Sequence, residues 1–277
     1  MDRVAACLWS CRAQLTLAAL FAITAITATP VAARAPDARY ARPVERYGHF
    51  APGRPHEYAA LAAPTGDGRT LVLDLPDDEV FEDVAPRRVR MGPSQPDLWL
   101  VIVSQRDLGS RLALVGIEQG RLAIVAQSQP TGRANRWLNP VGVADLDGDG
   151  RIEIAAVTTP HIGGTLRLYH VDGRRLVEIA ALDGFSNHVY GSSELRLSLP
   201  AEVDGHVRLL VPDAARRSLR LVGYAGGALT EVGRCPLDRP LAGPVTRIAP
   251  SRIAVGSGPQ RRVIALDTCI DGKQRPR

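Results

Sequence analysis

The chain has 277 residues with a formal net charge of +5, and 45% of its residues are hydrophobic. That is length enough for one sizeable domain or two small ones. The basic residues are spread along the chain, which excludes the concentrated basic footprint of a nucleic-acid partner. Aromatics are few, whereas Gly (26) and Pro (21) are many, a composition that suits many short strands joined by turns.

Arg3 and Arg12 flank the start of the chain, and residues 13–28 are apolar apart from Gln14 and scattered threonines. Val31, Ala32 and Ala33 then offer the small-residue cleavage pattern of a secretory signal. This predicts a signal peptide over residues 1–33. An uncleaved anchor is the alternative, because residues 13–33 carry no charge. No second long apolar run follows. The mature protein is therefore expected to be periplasmic or secreted, without stable membrane insertion. Cys7 and Cys11 fall within the signal, which leaves Cys235 and Cys269. An even pair in an oxidising compartment is read as one disulfide, with two buried thiols as the other reading.

Residues 34–56, rich in Arg, Pro and Ala, read as a lead-in segment with a possible strand at 40–47. Three stretches further on repeat one pattern: LALVGIEQGRLAIVAQ from Leu112, LRLYHVDGRRLVEIAAL from Leu166 and LRLVGYAGGALTEVGR from Leu219. Each reads as a β-hairpin, with apolar residues alternating on both sides of a turn. A strand pair precedes each, its second strand reading DLWLVIVS from Asp97, RIEIAAVT from Arg151 and HVRLLVPD from His206. One unit is thus four strands over about 54 residues, the size of a propeller blade. Residues 58–63, 70–75 and 80–84 resemble strands two to four of an earlier blade. Residues 245–249, 252–257 and 262–267 resemble strands one to three of a last one. Because a ring leaves no open sheet edges, the strand at 40–47 is expected to complete that last blade. The expected fold is all-β: a β-propeller of about five four-stranded blades over 57–277, with four or six as alternatives.

The sharpest motif is DLDGDGRIE, from Asp145 to Glu153. Asp145, Asp147, Asp149 and Glu153 place four negative charges on nine residues, offset by Arg151 alone. Repulsion of this density asks for a hard divalent cation. Calcium takes carboxylates spaced two apart around tight glycine turns, with a backbone oxygen, here the carbonyl of Arg151, between Asp149 and Glu153. An EF-hand is excluded because position twelve is Ala156 and both flanks read as strand. The stretch NPVGVADLDGDGRIEIAAVTTP, 139–160, resembles one FG-GAP/VCBS repeat, the blade unit of integrin-α-like β-propellers. The resemblance implies one structural Ca2+ held between the first two strands of a blade. The aligned loop of the next blade keeps Glu202 and Asp204, but Pro200 and Arg208 replace the outer ligands. In the previous blade Met91 stands at the position of Asp145.

No G-x-S-x-G elbow, P-loop or H-E-x-x-H occurs. No two of the six histidines share a metal-ligand spacing on one predicted element; His161 reads as a turn residue and His170 as a strand-surface residue. Two inter-blade connections, 131–140 and 184–191, are more informative. In a propeller such connections gather on one face, which places Arg133, Asn135, Arg136, Trp137, Asn187, His188 and Tyr190 together. Aromatic, Arg and amide groups make a recognition surface; the competing reading has these loops merely pack the blade junction. The resemblance implies a non-catalytic binding module for an envelope or extracellular protein or carbohydrate, with no nucleic acid. The alternative is a polysaccharide-active lyase or hydrolase on the same scaffold.

Overall fold

The computed structural model describes residues 37–269. The expected signal over 1–33, with Cys7 and Cys11, lies outside the described residues. Among the described residues, nineteen strands make up the fold and helix is limited to two single 3-10 turns.

The strands fall into five successive units. The first contains β1 (Arg39–Pro43), β2 (Tyr58–Pro64) and β3 (Thr70–Asp74), with β1 and β3 each antiparallel to β2. A short β4 (Glu79–Phe81) follows. The second unit is β5 (Arg87–Arg90), β6 (Asp97–Gln105), β7 (Gly109–Glu118) and β8 (Arg121–Gln127). The third is β9 (Leu138–Ala144), β10 (Glu153–Thr158), β11 (Gly164–Asp172) and β12 (Arg175–Phe185). The fourth is β13 (Leu199–Val203), β14 (His206–Pro212), β15 (Ser218–Ala225) and β16 (Ala228–Pro236). The last is β17 (Val245–Ala249), β18 (Arg252–Val255) and β19 (Arg262–Ala265). The three middle units are four-stranded antiparallel meanders in chain order. Short links connect the first three units into one twelve-stranded sheet: β4 pairs with β6, and β8 meets β12 through the single parallel pair Arg175–Gln127.

The repeat is visible in detail. The last hairpin of each middle unit shifts register at one shared step, Leu114/Val115, Leu168/Tyr169 and Leu221/Val222, and β11–β12 shifts a second time at Gly164/Thr165. The shared positions are equivalent in the repeated stretches. A β-bulge adds local twist to a strand pair, and here it recurs at the same step of each unit.

Core packing explains why the inner strands are apolar without alternation. A strand sends successive side chains to opposite faces. In β6, Leu100 and Ile102 enter the core shared with the third unit, while Trp99, Val101 and Val103 enter the core shared with the first. In β10, Ile154 and Ala156 face the second unit, while Ala155 and Val157 face the fourth. A fourth core lies between the fourth and last units, built from Leu210, Leu219 and Leu221 against Val245, Ile253 and Ile264. Each of the three middle units is thus buried between its neighbours, which explains the burial of all six residues of β10. The close approach of β9 to β13 needs Gly142, whose φ is +153°; a Cβ there would lie 2.7 Å from Pro200 Cδ.

Two strand expectations are corrected. The N-terminal strand exists, but it pairs with β2 and does not complete the last unit. Its burial partners decide this. Tyr40 stacks on Tyr58 and Phe81 at centroid distances of 5.4 and 5.1 Å, and its hydroxyl donates to Asp83 Oδ2 at 3.0 Å. The stretch at 80–84 forms β4, which bridges towards β6 and is not an outer strand beside β3. The first and last units therefore have three strands each besides β4, not four.

Cys235, on β16, is bonded to Cys269, at the end of the 3-10 turn after β19, across 34 residues of sequence. Both are buried in the last inter-unit core. A loop of this length is worth about 3–4 kcal/mol in the loop-entropy picture. Reduction, or Cys269→Ser, is expected to lower the melting temperature by roughly 6–14 °C. Peptide mapping of the non-reduced protein should yield one linked pair. Free thiols at both positions, or an unchanged melting curve, would contradict this.

Candidate functional site

The acidic loop closes the β9–β10 hairpin, whose last paired residues are Ala144 and Glu153. Leu146 anchors it from below in the core between the third and fourth units. The loop curls around Asp145, which accepts from Gly148 N at 2.7 Å with Oδ1 and from Gly150 N at 3.0 Å with Oδ2. Asp147 accepts from Asp149 N at 3.3 Å, and Asp149 accepts from Arg151 N at 2.8 Å. The outcome is that carboxylate oxygens of Asp145, Asp147 and Asp149 lie within 4.8 Å of one another. Arg151 turns its guanidinium onto Asp149, Nη2 to Oδ2 at 2.7 Å, and offsets one charge.

Glu153 stands behind this group and is only 3% exposed. Its Oε2 accepts from Leu146 N at 2.9 Å. Burial, and then the charges of Asp147, Asp149 and Asp145, push its carboxyl above the usual range. The three aspartates fit a hard cation: their oxygens converge and each carboxylate keeps lone pairs beyond those it gives to backbone N–H groups; Glu153 lies outside that converging group, and the repulsion raising its carboxyl is what a cation relieves.

The seven residues expected on one face divide into two groups. Arg133, Asn135 and Tyr190 are exposed and Arg136 is half-buried. Trp137, Asn187 and His188 are fully buried and act as joints. Trp137 Nε1 donates to the carbonyl of Glu82 at 2.9 Å. Asn187 and Asn139 exchange amide bonds, each donating Nδ2 to the other's backbone carbonyl at 3.2 and 3.1 Å. The exposed residues are held by the N-terminal lead-in. Asn135 N donates to Tyr47 Oη at 2.8 Å, and Tyr190 Oη donates to the carbonyl of His49 at 2.8 Å. Gly109, at φ +76°, lets the 131–136 loop close over β7, because a Cβ there would collide with Arg133 O and Thr131 Oγ1.

Beneath these residues lies a cluster that sequence reasoning missed. His49, His161 and His188 come from the lead-in, the β10–β11 turn and the β12–β13 connection. Ring centroids are 6.5 Å apart for His49–His161 and 5.9 Å for His161–His188. Tyr190 lies 5.3 Å from His161 and 5.7 Å from His49, and Trp137 lies 4.7 Å from His188. Glu82 Oε1 is 2.8 Å from His49 Nδ1, outside the direction of a good hydrogen bond. His188 Nε2 donates to Ser192 O at 2.8 Å, which leaves its buried Nδ1 unpartnered. His161 Nδ1 is likewise unpartnered. No sequence signal points to this cluster, since its members are single histidines on separate segments. Among the described residues, the group of three or more metal-ligating side chains with all ligand atoms within 4.8 Å is Asp145, Asp147 and Asp149, so the histidines do not form a closed metal cage here.

Burial pushes both His161 and His188 down to about 4; neighbouring His188, His49 and Arg136 add to the effect on His161, and Arg216 adds to that on His188. No protein-family model matches the chain, and no curated protein matches it. The class rests on the fold: an all-β protein of successive antiparallel sheets with one disulfide. Among the described residues, no helix is long and apolar enough to cross a membrane.

A histidine with a lowered folded pKa makes stability rise with pH. The unfolded chain takes up protons as pH falls through about 6.5, and the folded protein resists until about 4. The contribution is complete above 6.5 and lost progressively down to 4. For the fully buried His188, whose ring meets Trp137, His161, Ser192 O and the field of Arg216, the loss is on the order of 3 kcal/mol. Acid unfolding followed across this window should be shallower in His188→Gln. A wild-type slope in that variant would contradict the assignment.

Proposed function

We propose that this chain is a secreted or periplasmic calcium-binding β-propeller of the FG-GAP/VCBS type, acting as a binding module for an envelope or extracellular protein or carbohydrate. The observation that carries the reading is the convergence of Asp145, Asp147 and Asp149 within 4.8 Å in front of the buried Glu153. Such a site binds one Ca2+ through side-chain oxygens, with the Arg151 carbonyl between Asp149 and Glu153, and braces the β9–β10 hairpin. Five successive units, each sharing a core with the next along the chain, support the propeller. Arg133, Asn135, Arg136 and Tyr190, on rigidly held connections, support recognition, because binding residues concentrate on loops positioned by a scaffold. The disulfide supports an oxidising compartment.

Calcium binding only to the folded state stabilises it by mass action. Millimolar calcium is expected to raise the melting temperature over that in chelator, and Asp145→Ala to abolish the difference. Identical melting curves in chelator and in calcium would rule out the metal.

The cluster of His49, His161, His188 and Tyr190 favours a second reading, a polysaccharide lyase. Neutral His161, near Arg136, suits abstraction of the C5 proton next to a uronate carboxylate whose charge the Arg counters, while the C4–O bond breaks and the departing sugar oxygen takes a proton from the Tyr190 phenol. In that reading, incubation with polyuronates yields ultraviolet-absorbing unsaturated ends that Tyr190→Phe no longer produces. Absence of such product from several polyuronates leaves the binding module as the sole reading.

A further inference from the structure

A cleft of about 510 Å3 opens between the second and third units, where β8 and β12 meet. Four guanidinium groups line it: Arg133 and Arg136 from the connection after β8, Arg167 from β11 and Arg175 from the start of β12. A single carboxylate, Glu178, shares the lining and is engaged by Arg167, Nη1 to Oε2 at 2.7 Å. Arg133, Arg136 and Arg175 pair with no carboxylate among the described residues, whereas most other arginines of the fold do, Arg174 with Glu118 and Arg220 with Glu231 among them. Three arginines without a carboxylate partner thus border one open cleft. Guanidinium is weakly hydrated and forks onto planar or tetrahedral oxyanions.

The cleft is also preorganised. Thr131 Oγ1 donates to Arg136 O at 2.9 Å, and Arg136 N donates to Arg133 O at 3.3 Å, so the loop that carries two of the arginines is fixed from within. Thr158 and Thr165 are spent on internal bonds, Thr158 to Arg167 and Thr165 to Asp183. The charged recognition groups of the cleft are therefore the guanidinium groups, with Gln129 and Thr159 as neutral polar neighbours. Between them lie apolar facets of the half-buried Pro130 and Val177. The volume is that of a small-ligand site rather than a protein interface. Nucleic acid would need exposed rings for base stacking, and the aromatic residue in the lining, Tyr169, is only 6% exposed.

We propose that this cleft binds an oligosaccharide bearing carboxylate or sulfate groups, with Arg133, Arg136 and Arg175 contacting its anionic groups. The proposal rests on the recognition reading above and narrows its ligand to an acidic glycan. The apolar facets accept sugar C–H surfaces and the guanidinium groups accept the charges.

The test is calorimetric titration of the full chain, in calcium, with four probes: trigalacturonate, a heparin tetrasaccharide, neutral galactotriose and a short oligothymidylate. A charged sugar is expected to bind at least tenfold more tightly than galactotriose, and more weakly as salt rises. The relative strength of the two charged sugars names the anion, uronate or sulfate. Arg133→Gln combined with Arg175→Gln, both at exposed positions, is expected to weaken the charged sugar at least tenfold with an unchanged melting temperature. Equal binding of galactotriose, unchanged affinity in the double variant, no binding by either charged sugar, or oligothymidylate binding as tightly as the sugars would each overturn the proposal. Asp145→Ala separates the two readings. If it abolishes the calcium response while the charged sugar still binds through the arginines, the cleft stands by itself. If the double variant binds sugar normally and calcium still stabilises the fold, the cleft falls and the calcium module stands.

Discussion

The carboxylate of Glu82 joins more of this structure than any other side chain described above. It is fully buried, just beyond β4. Oε1 accepts from Ala51 N at 2.8 Å and lies 2.8 Å from His49 Nδ1; Oε2 accepts from Ser104 Oγ at 2.6 Å. Its own carbonyl receives Trp137 Nε1. One residue thus ties the lead-in, the second unit and the connection into the third. A buried carboxylate is tolerable only when hydrogen bonds replace its water, so these partners are obligatory. Glu57, just before β2, repeats the device, accepting from Gly48 N, His49 N and Phe50 N at 3.0, 2.9 and 3.2 Å. The lead-in is therefore an internal strut, held by two carboxylates and placed under the residues that reach solvent.

That strut explains which parts of the molecule were legible in the sequence. The three hairpins from Leu112, Leu166 and Leu219 were legible because their pattern is local and recurs at a fixed spacing, and the structure repeats even their register shift. The acidic loop was legible because its carboxylates are neighbours in sequence. The partner of β1 was not, since strand pairing there is chosen by Tyr40 stacking on Phe81, forty-one residues away. The histidine cluster was equally hidden. His49 meets His161 and Tyr190 only because Glu57 and Glu82 fold the lead-in inwards, and nothing in the letters around His49 announces a carboxylate at residue 82. The seven residues of the expected face share one zone of the fold, but sequence gave no means to tell Trp137, Asn187 and His188, which are consumed as joints, from Arg133, Asn135, Arg136 and Tyr190.

The strand β9 sets the functional geometry. Its C-terminal end leads into the acidic loop, and its N-terminal end leads back to Trp137 and the arginine-bearing connection. Seven residues of strand separate the two by roughly 20 Å. Influence of a bound cation on the recognition residues therefore travels through the β9–β10 ladder, with its bulge at Ala155/Ala156, and not through direct contact. In the proposed reading the two ends of this hairpin divide the work: the acidic loop would hold the metal, and the cationic and polar side chains at the other end would meet the ligand.

The central claim, a cation held by the acidic loop, can be read from terbium luminescence sensitised by the protein's own tyrosine. The phenol of Tyr224, pushed up first by partial burial and then by the charges of Asp147 and Glu153, packs against the core that anchors the loop. Terbium, an oxygen-seeking stand-in for calcium, emits when excited through an aromatic ring this close. The account predicts terbium luminescence that Ca2+ displaces with one-to-one stoichiometry and that Tyr224→Leu greatly reduces. Terbium emission that is absent, or that calcium leaves unchanged, would contradict it.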